Sequence, residues 1–569
     1  MAHIQSGRQG KTRIDRLLKH SDNQVTKTTF YFNGCIRTMD DDDTVAEAVI
    51  TIGDEIAAVG RTADLRPQLH DDVEHIDLDG RTMIPAFIDP HGHFPDSGFI
   101  ELFRADLAAP PRGDCVDMAA ALARLREKAS QTPAGDWVMG ALFDNTAIAE
   151  GRMPTRAELD SVSTDHPVWV IHASGHNGVA NSMALERIHI TGDTPDPPGG
   201  RYGRDPHTKE LTGHIEGISA MGELGDTCFL IDLDRFWQGF GAARDEYLTH
   251  GVTLAQNAWT NREMLAYFAN LPADRDPGID LVLLSADDVS PERGPCFDPP
   301  GWPGNPHMTL GPKKLFSDGA FQMQTACLTV PYHKPLNPDA PFGTLYATPE
   351  EMAPQVAKMH REGFQIHCHC NGDAGADLFL NAVEAALDEC PRADHRHTVI
   401  HGQVLRDDQL ERMARLGVTV SFFSAHIHFW GDRHFDSILG PERAERISPA
   451  RAAELHGVRF TLHNDASVTP TRPFHLAHCA VNRRSATGRV LGEGQRISVR
   501  SALRAQTIDA AWQVFQDGMR GSIEVGKVAD FAVLSRDPFE APEQIDTVSV
   551  VSTIRRGNVV IGSELFGRQ

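Results

Sequence analysis

Cysteine is scarce in this chain: nine in 569 residues, with no Cys-x-x-Cys pair. That pattern makes neither a disulfide framework for a chain of this size nor a structural Cys/His zinc site, which needs a second cluster at matching spacing. Basic charge is short as well. Lys and Arg total 54 against 78 Asp and Glu, a formal net charge of −24. So acidic a surface repels phosphate backbones and anionic lipid, so neither nucleic acid nor a membrane surface is expected as a partner. No apolar run approaches the ~20 residues a membrane helix needs. The first 28 residues, with Lys11, Arg13, Arg16, Lys19 and Lys27, lack the apolar centre of a secretory signal, and a cytoplasmic location is expected. Gly-x-Ser-x-Gly and His-Glu-x-x-His are also missing. Gly521–Lys527 satisfies Gly-x4-Gly-Lys, but Val528 supplies no hydroxyl for Mg²⁺, so the segment reads as a turn between strands.

What remains is ordinary globular material, 41% hydrophobic and 23% charged with 49 Gly and 35 Pro. At roughly 150 residues per domain it suggests three or four units, although one α/β barrel can absorb about 250 residues or more. Short β-rich pieces separated by Asn-Gly, Gly-Asp and Asp-Gly turns fill Thr28 to about Thr82, and a similar texture returns from Gly521 to Ile561. Two such ends can join only if the intervening chain starts and finishes in one place. Between them β-rich runs recur at Thr82–Ile88, Val252–Gln256, Asp280–Leu284, Lys314–Phe316, Gln365–His369, Thr398–His401, Val418–Phe423 and Arg459–His463. Helical patterns intervene at Glu350–Arg361, Ala374–Glu389, Asp407–Leu416 and Pro449–Leu455. This alternation predicts an α/β fold: a (β/α)8 TIM barrel, a composite β-sandwich from both chain ends, and an inserted subdomain after the first barrel strand. The expected division is a tail over 1–27, the sandwich over 28–81 and 519–569, and the barrel over 82–518. The insertion spans about 94–240 and contains the rigid, turn-rich Pro195–Gly200.

The densest chemistry lies at the end of the first run, Asp89-Pro90-His91-Gly92-His93. In an extended chain, residues two apart share a face, so His91 and His93 can grip one ion through ring nitrogens. Three more strand ends carry groups of the same type: His367 and His369, then His401, then Asp465. Catalytic groups in barrels collect at the C-terminal ends of strands, where the βα loops meet, so these positions point to one metal site.

His-x-His after the first strand, a Lys on the fourth, a His on each of the fifth and sixth and an Asp on the eighth resembles the amidohydrolase superfamily. Closer detail resembles its N-substituted formamide deformylase-like branch (amidohydrolase family 3). The likeness rests on Asp136–Gly140, Ser174–His176, Asn181-Ser182, Pro197–Gly200, Lys314–Gly319, Thr325-Ala326, Pro331-Tyr332, His369–Asp373, His401–Gln403 and Gly521–Asp530. It runs from Thr28 to near the end of the chain. Ala86, Ile400 and Asn464 stand where Gly, Glu and Ser are commoner in that family, departures that retune surroundings without removing a ligand.

The resemblance implies a metal-dependent hydrolase of non-peptide C–N bonds, in amide, N-formyl or related N-acyl compounds; the alternative is a deaminase on the same barrel. It assigns His91 and His93 to one divalent ion, zinc by expectation, His369 and His401 to a second, and Lys314 to a bridge formed by N6-carboxylation. Unmodified, Lys314 would be an ion-pair partner, with Asp318 as its candidate mate. Asp465 is implied as metal ligand and as the general base and acid for a metal-activated water, against a reading as a helix cap. His176, Asp318, Phe423, His426 and Trp430 are candidate contacts to a small-molecule substrate. For the aromatic and imidazole segment around Phe423–Trp430 and for His176, an ordinary packing role competes with this. By alternation His367 faces the same way as His369, toward metal or substrate or into a packed core, while Cys368 and Cys370 face away. A homo-oligomer is the general expectation for such an enzyme.

Overall fold

The computed structural model describes residues 27–70, 72–197, 200–217, 219–222, 232–286 and 305–566. The expected tail up to residue 26, and residues 198–199 of the turn-rich segment, lie outside the described residues.

Eight parallel strands form one sheet in chain order: β1 (Phe87–Ile88), β2 (Val252–Thr260), β3 (Asp280–Ser285), β4 (Met308–Phe316), β5 (Ile366–Cys370), β6 (Thr398–His401), β7 (Thr419–Phe422) and β8 (Phe460–Leu462). The strands are buried almost throughout, as expected where helices cover a parallel sheet. The sheet curls until its two edges meet. β1 and β8 share no ladder, but residues 505–506 bridge them, with Ile88 N donating to Gln506 O at 2.9 Å and Leu462 N to Ala505 O at 3.2 Å. Above that bridge His93 N donates to Ala466 O at 2.6 Å. The result is a TIM-barrel-like α/β fold. Ile88, Leu254, Val282 and Leu284 pack against Ala510, Ala511 and Val514, an apolar floor that leaves polar chemistry to the opposite rim.

Local sequence explains the intervening helices. Thr348 and Glu351 form a capping box for the helix Pro349–Arg361, whose last turn carries Lys358, His360 and Arg361 against the helix dipole. The helix Asp407–Leu416 stops at Gly417, where φ is +73°. Between β3 and β4 the chain over 287–304 lies outside the described residues.

The run Thr82–Ile88, read above as one strand, serves two sheets. Thr82–Pro85 pairs with Phe531–Leu534 and with Cys35-Ile36, and after Ala86 only Phe87–Ile88 joins β2. Both halves are buried, so no change of pattern marks the division. Gly521–Lys527, read as a turn, forms no strand, and Ile523 N bonds Thr38 O and Gly526 N bonds Ile56 O from this irregular stretch. A four-stranded sheet comes from the N-terminal segment alone, and a six-stranded one interleaves strands from both chain ends. Tyr31, Val49, Ile56 and Ile76 of the first meet Ile36, Met83, Phe531 and Ile554 of the second in one apolar core. The long segment after β1 carries its own six-stranded sheet, from Ala105–Asp106 to Leu211–Glu216, with a core around Leu107, Leu125, Phe143 and Val170. Its entry and exit helices, Asp96–Phe103 and Leu233–Thr249, cross at a glycine contact. A Cβ on Gly98 would sit 1.9 Å from Gly239 O.

One buried carboxylate ties the C-terminal segment to the barrel. Asp280, the first residue of β3, accepts from Arg555 at 2.5 Å, Arg556 at 3.0 Å and Arg520, and contacts His307 Nδ1 at 2.9 Å. Burial pushes this carboxyl up, but the surrounding guanidinium charges outweigh it and hold the group well below the usual range. Removing the counter-charge strands buried cations. Asp280→Asn should therefore lower the unfolding free energy by about 3–5 kcal/mol, measured by urea denaturation; a loss under ~1 kcal/mol would show the cluster to be incidental.

Candidate metal centre

The rim gathers the ligand-type side chains from strands far apart in sequence. His91 and His93 follow β1, Lys314 is on β4, His369 on β5, His401 ends β6, and His463 and Asp465 follow β8. Asp465 Oδ1 lies 3.3 Å from His93 Nε2 and 3.6 Å from His91 Nε2. Lys314 Nζ is 3.2 Å from the same His91 nitrogen. Across the rim His369 Nδ1 and His401 Nε2 stand 3.0 Å apart. His401 and Asp465 hold positive φ, +74° and +52°, a backbone state uncommon outside glycine and tolerated by His and Asp better than by most residues. Strand ends forced into it turn their side chains toward the centre.

His91, His93 and Asp465 place one donor atom each within 4.8 Å of one another, and so do His401, His463 and Asp465. His463 was not among the residues singled out from the sequence. The available signal was its position two before Asp465, the same alternation that pairs His91 with His93. Its Nε2 lies 3.1 Å from His401 Nδ1 and its Nδ1 2.8 Å from Ser421 Oγ, so a Ser421–His463–His401 chain fixes which nitrogen of His401 turns outward. His369 is fixed likewise, its Nε2 2.9 Å from Gly319 O.

These groups fit a divalent cation by their chemistry. Desolvation holds His91, His369 and His401 well below the usual imidazole range and brings His463 down to about 3, so the rings are neutral and offer lone pairs. Burial pushes Asp465 up, but the adjoining His93, His463 and Lys314 more than reverse this and keep it ionised. Burial lowers Lys314 to about 8, which raises the fraction of neutral amine. Asp465 Oδ1 and His91 Nδ1 are buried without a hydrogen-bond partner among the described residues.

Above the rim lies a cavity of about 390 Å³. His176, Phe423 and His426 line it, with Trp169 and Ile171 of the inserted sheet and Phe316 of β4. Two other expected contacts stand back from it. The Asp318 carboxylate is consumed by the backbone N–H groups of Cys327, Asn371 and Gly372 at 2.7–2.9 Å, bracing loops and, among the described residues, pairing with no lysine. Trp430 sits behind His426, and its indole N–H donates to Asp144 of the insertion at 3.1 Å. His367 is buried on the barrel interior in register with Lys314, both ring nitrogens without a hydrogen bond among the described residues. Cys368 and Cys370 pack in the apolar core on the other face.

A profile of the amidohydrolase family matches residues 74–561. The chain is 27% identical over 529 residues to the N-substituted formamide deformylase of Arthrobacter pascens, covering 89% of this chain and 93% of that one. It is 27% identical over 545 residues to the protein LONG AFTER FAR-RED 3 of Arabidopsis thaliana, covering 92% and 89%. A metal-dependent hydrolase of Pyrococcus horikoshii OT3, uncharacterized, superposes with a TM-score of 0.71 at 23% identity, covering 91% and 99%. The family match supports a hydrolase acting on C–N bonds, and the rim groups fit a divalent metal. The chain belongs to the amidohydrolase family. Among the described residues no helix is long and apolar enough to cross a membrane.

The rim histidines also set a pH dependence. His91, His172, His176, His367, His369, His401, His426 and His463 are all lowered by burial. Folded, they stay neutral where the unfolded chain takes up protons, so their stabilisation is full above about 6.5 and is lost as pH falls below it. Asp89 and Asp318, pushed up by burial to about 7, run the opposite way but are outnumbered. The unfolding temperature of metal-stripped protein should therefore fall between pH 7.5 and pH 5.5; a rise over that interval would contradict the assigned neutrality.

Proposed function

We propose that the chain hydrolyses a small amide or N-formyl compound bearing an apolar or aromatic group, using zinc. His91, His93 and Asp465 would hold one ion. His369 and His401 would hold a second, with Lys314 bridging the two after N6-carboxylation. The observation that carries this reading is the meeting of Asp465 with His91 and His93, beside a His369–His401 pair spaced at 3.0 Å. When bound, such an ion acidifies a water to near neutrality and polarises a carbonyl.

The chain's own groups do the rest. Asp465, ionised at neutral pH, accepts the proton of the attacking water and returns it to the departing nitrogen. Ser421 and His463 hold His401 in one tautomer. Phe99, Trp169, Trp259, Phe316 and Phe423 supply an apolar wall that excludes water and receives the substrate's apolar group. The name of the Arthrobacter relative supports an N-substituted formamide as the substrate type. Lys314 beside His91 favours this over a deaminase, since single-metal deaminases lack a bridging lysine. The same reading divides the chain into an end module built from both termini, with Thr82–Pro85 added to it, a catalytic barrel, and a subdomain inserted over the mouth.

Two variants test the roles. Asp465→Asn should fold and retain metal yet lose at least about a hundredfold in kcat; turnover near that of the parent would refute the assignment. His91→Ala should lower the metal content found by elemental analysis, and an unchanged stoichiometry would remove it from the ligand set. Substrate class is tested by incubating the metal-loaded protein with N-acyl, N-formyl and carbamate compounds and measuring released amine. Release of ammonia from amidine-like rings alone would instead indicate deamination.

A further inference from the structure

His176 comes from the inserted subdomain, yet its ring lies over the metal centre, its centroid 5.2 Å from that of His369 and 6.5 Å from that of Phe316. Its backbone is held by the insertion, with Gly217 N donating to its carbonyl at 2.9 Å. Its Nδ1 lies 2.9 Å from the hydroxyl of Tyr346, which belongs to the loop after β4. Tyr346 is anchored in turn, its N donating to Ser317 O at 2.8 Å. Two separately positioned parts of the chain thus meet at one imidazole nitrogen. The ring lines the cavity, and among the described residues no hydrogen bond is made by its Nε2.

Neighbouring polar groups are committed elsewhere. Asn371 Nδ2 donates to Gly319 O at 2.8 Å, and both nitrogens of His426 are engaged, Nδ1 by His434 at 3.0 Å and Nε2 by Gln322 at 3.5 Å. His172 Nε2 is buried rather than open to the cavity. A carbonyl held at the His369 side of the centre would need a donor aimed at the oxygen on which charge develops, and a fixed neutral donor supplies it without placing another charge beside the aromatic wall. A phenol donates far more readily than it accepts, so a Tyr346 O–H directed at Nδ1 leaves the ring proton on Nε2.

We infer that Tyr346 is a positioning residue that holds His176 in the Nε2–H tautomer, and that this Nε2–H donates to the substrate oxygen as it becomes an oxyanion. The inference rests on the hydrolase reading above and adds two roles to it. His176 is the catalytic donor, and Tyr346 acts only through it. The insertion thereby completes the site as well as roofing it.

The test uses the metal-loaded full-length protein with whichever N-acyl or N-formyl compound releases amine best, and a phosphonamidate analogue of that compound. His176→Ala should lose about 10²–10³-fold in kcat, with KM and metal content little changed. Tyr346→Phe, which keeps the ring and removes the hydroxyl, should lose roughly tenfold in kcat, again at unchanged metal content. The double variant should be no slower than His176→Ala alone, because Tyr346 has nothing left to position. Affinity for the tetrahedral analogue should weaken by the same factors as kcat/KM. Tyr346→Phe at parental kcat, or losses that multiply in the double variant, would overturn the inference while leaving the hydrolase reading intact. Metal-loaded parent protein that hydrolyses none of the compounds defeats that reading and this inference together.

Discussion

The structure depends on imidazole nitrogens and one carboxylate crowded together at a single end of the barrel. They face one another at 3.0–3.6 Å on the rim, and wherever two lone pairs meet at that range they repel unless a cation or a proton lies between them. Burial keeps His91, His369 and His401 from taking up a second proton, so each ring retains one lone pair. The groups fit a divalent cation, and the remaining architecture can be understood as what holds them in place. His401 and Asp465 reach the centre from left-handed backbone positions, a local cost that the surrounding barrel over-determines. His463 and Ser421 behind His401, and Gly319 behind His369, remove the rotational freedom a first ligand would otherwise retain.

Rigidity at the rim is bought far from it. The apolar floor under β1–β3 closes on Ala510, Ala511 and Val514, and the Asp280 cluster ties β3 to the C-terminal segment, so the sheet that carries Arg555 acts as a foundation. The inserted sheet reaches the opposite side of the molecule. Asp144 grips Trp430 and Arg433 of the segment after β7, and His176 meets Tyr346 of the loop after β4. The cavity between insertion and barrel is walled from both, which is why aromatic residues distant in sequence, such as Trp169 and Phe316, line it together.

Much of this was legible in the sequence, for identifiable reasons. Strand runs with helices between them, capping residues such as Thr348 and a helix stop at Gly417 are local signals, and the elements follow them closely. His-x-His and the rim positions were readable because parallel strands place chemistry at one end. Less legible was whatever depends on packing across the fold. Thr82–Ile88 gives no sign that it divides between two sheets, because both halves are equally apolar and buried. Asp318 and Trp430 have the composition of pocket residues, yet backbone donors and Asp144 claim them first. Tyr346 carries no motif at all; only the folded loop brings it to His176.

If these side chains surround metal, anomalous X-ray scattering from crystals grown with zinc will locate it among them. One peak should fall among His91, His93 and Asp465, and a second between His369 Nδ1 and His401 Nε2, joined by density extending from Lys314 Nζ. Zinc bound only at surface sites, with the rim residues in direct contact and no peak between them, would contradict it.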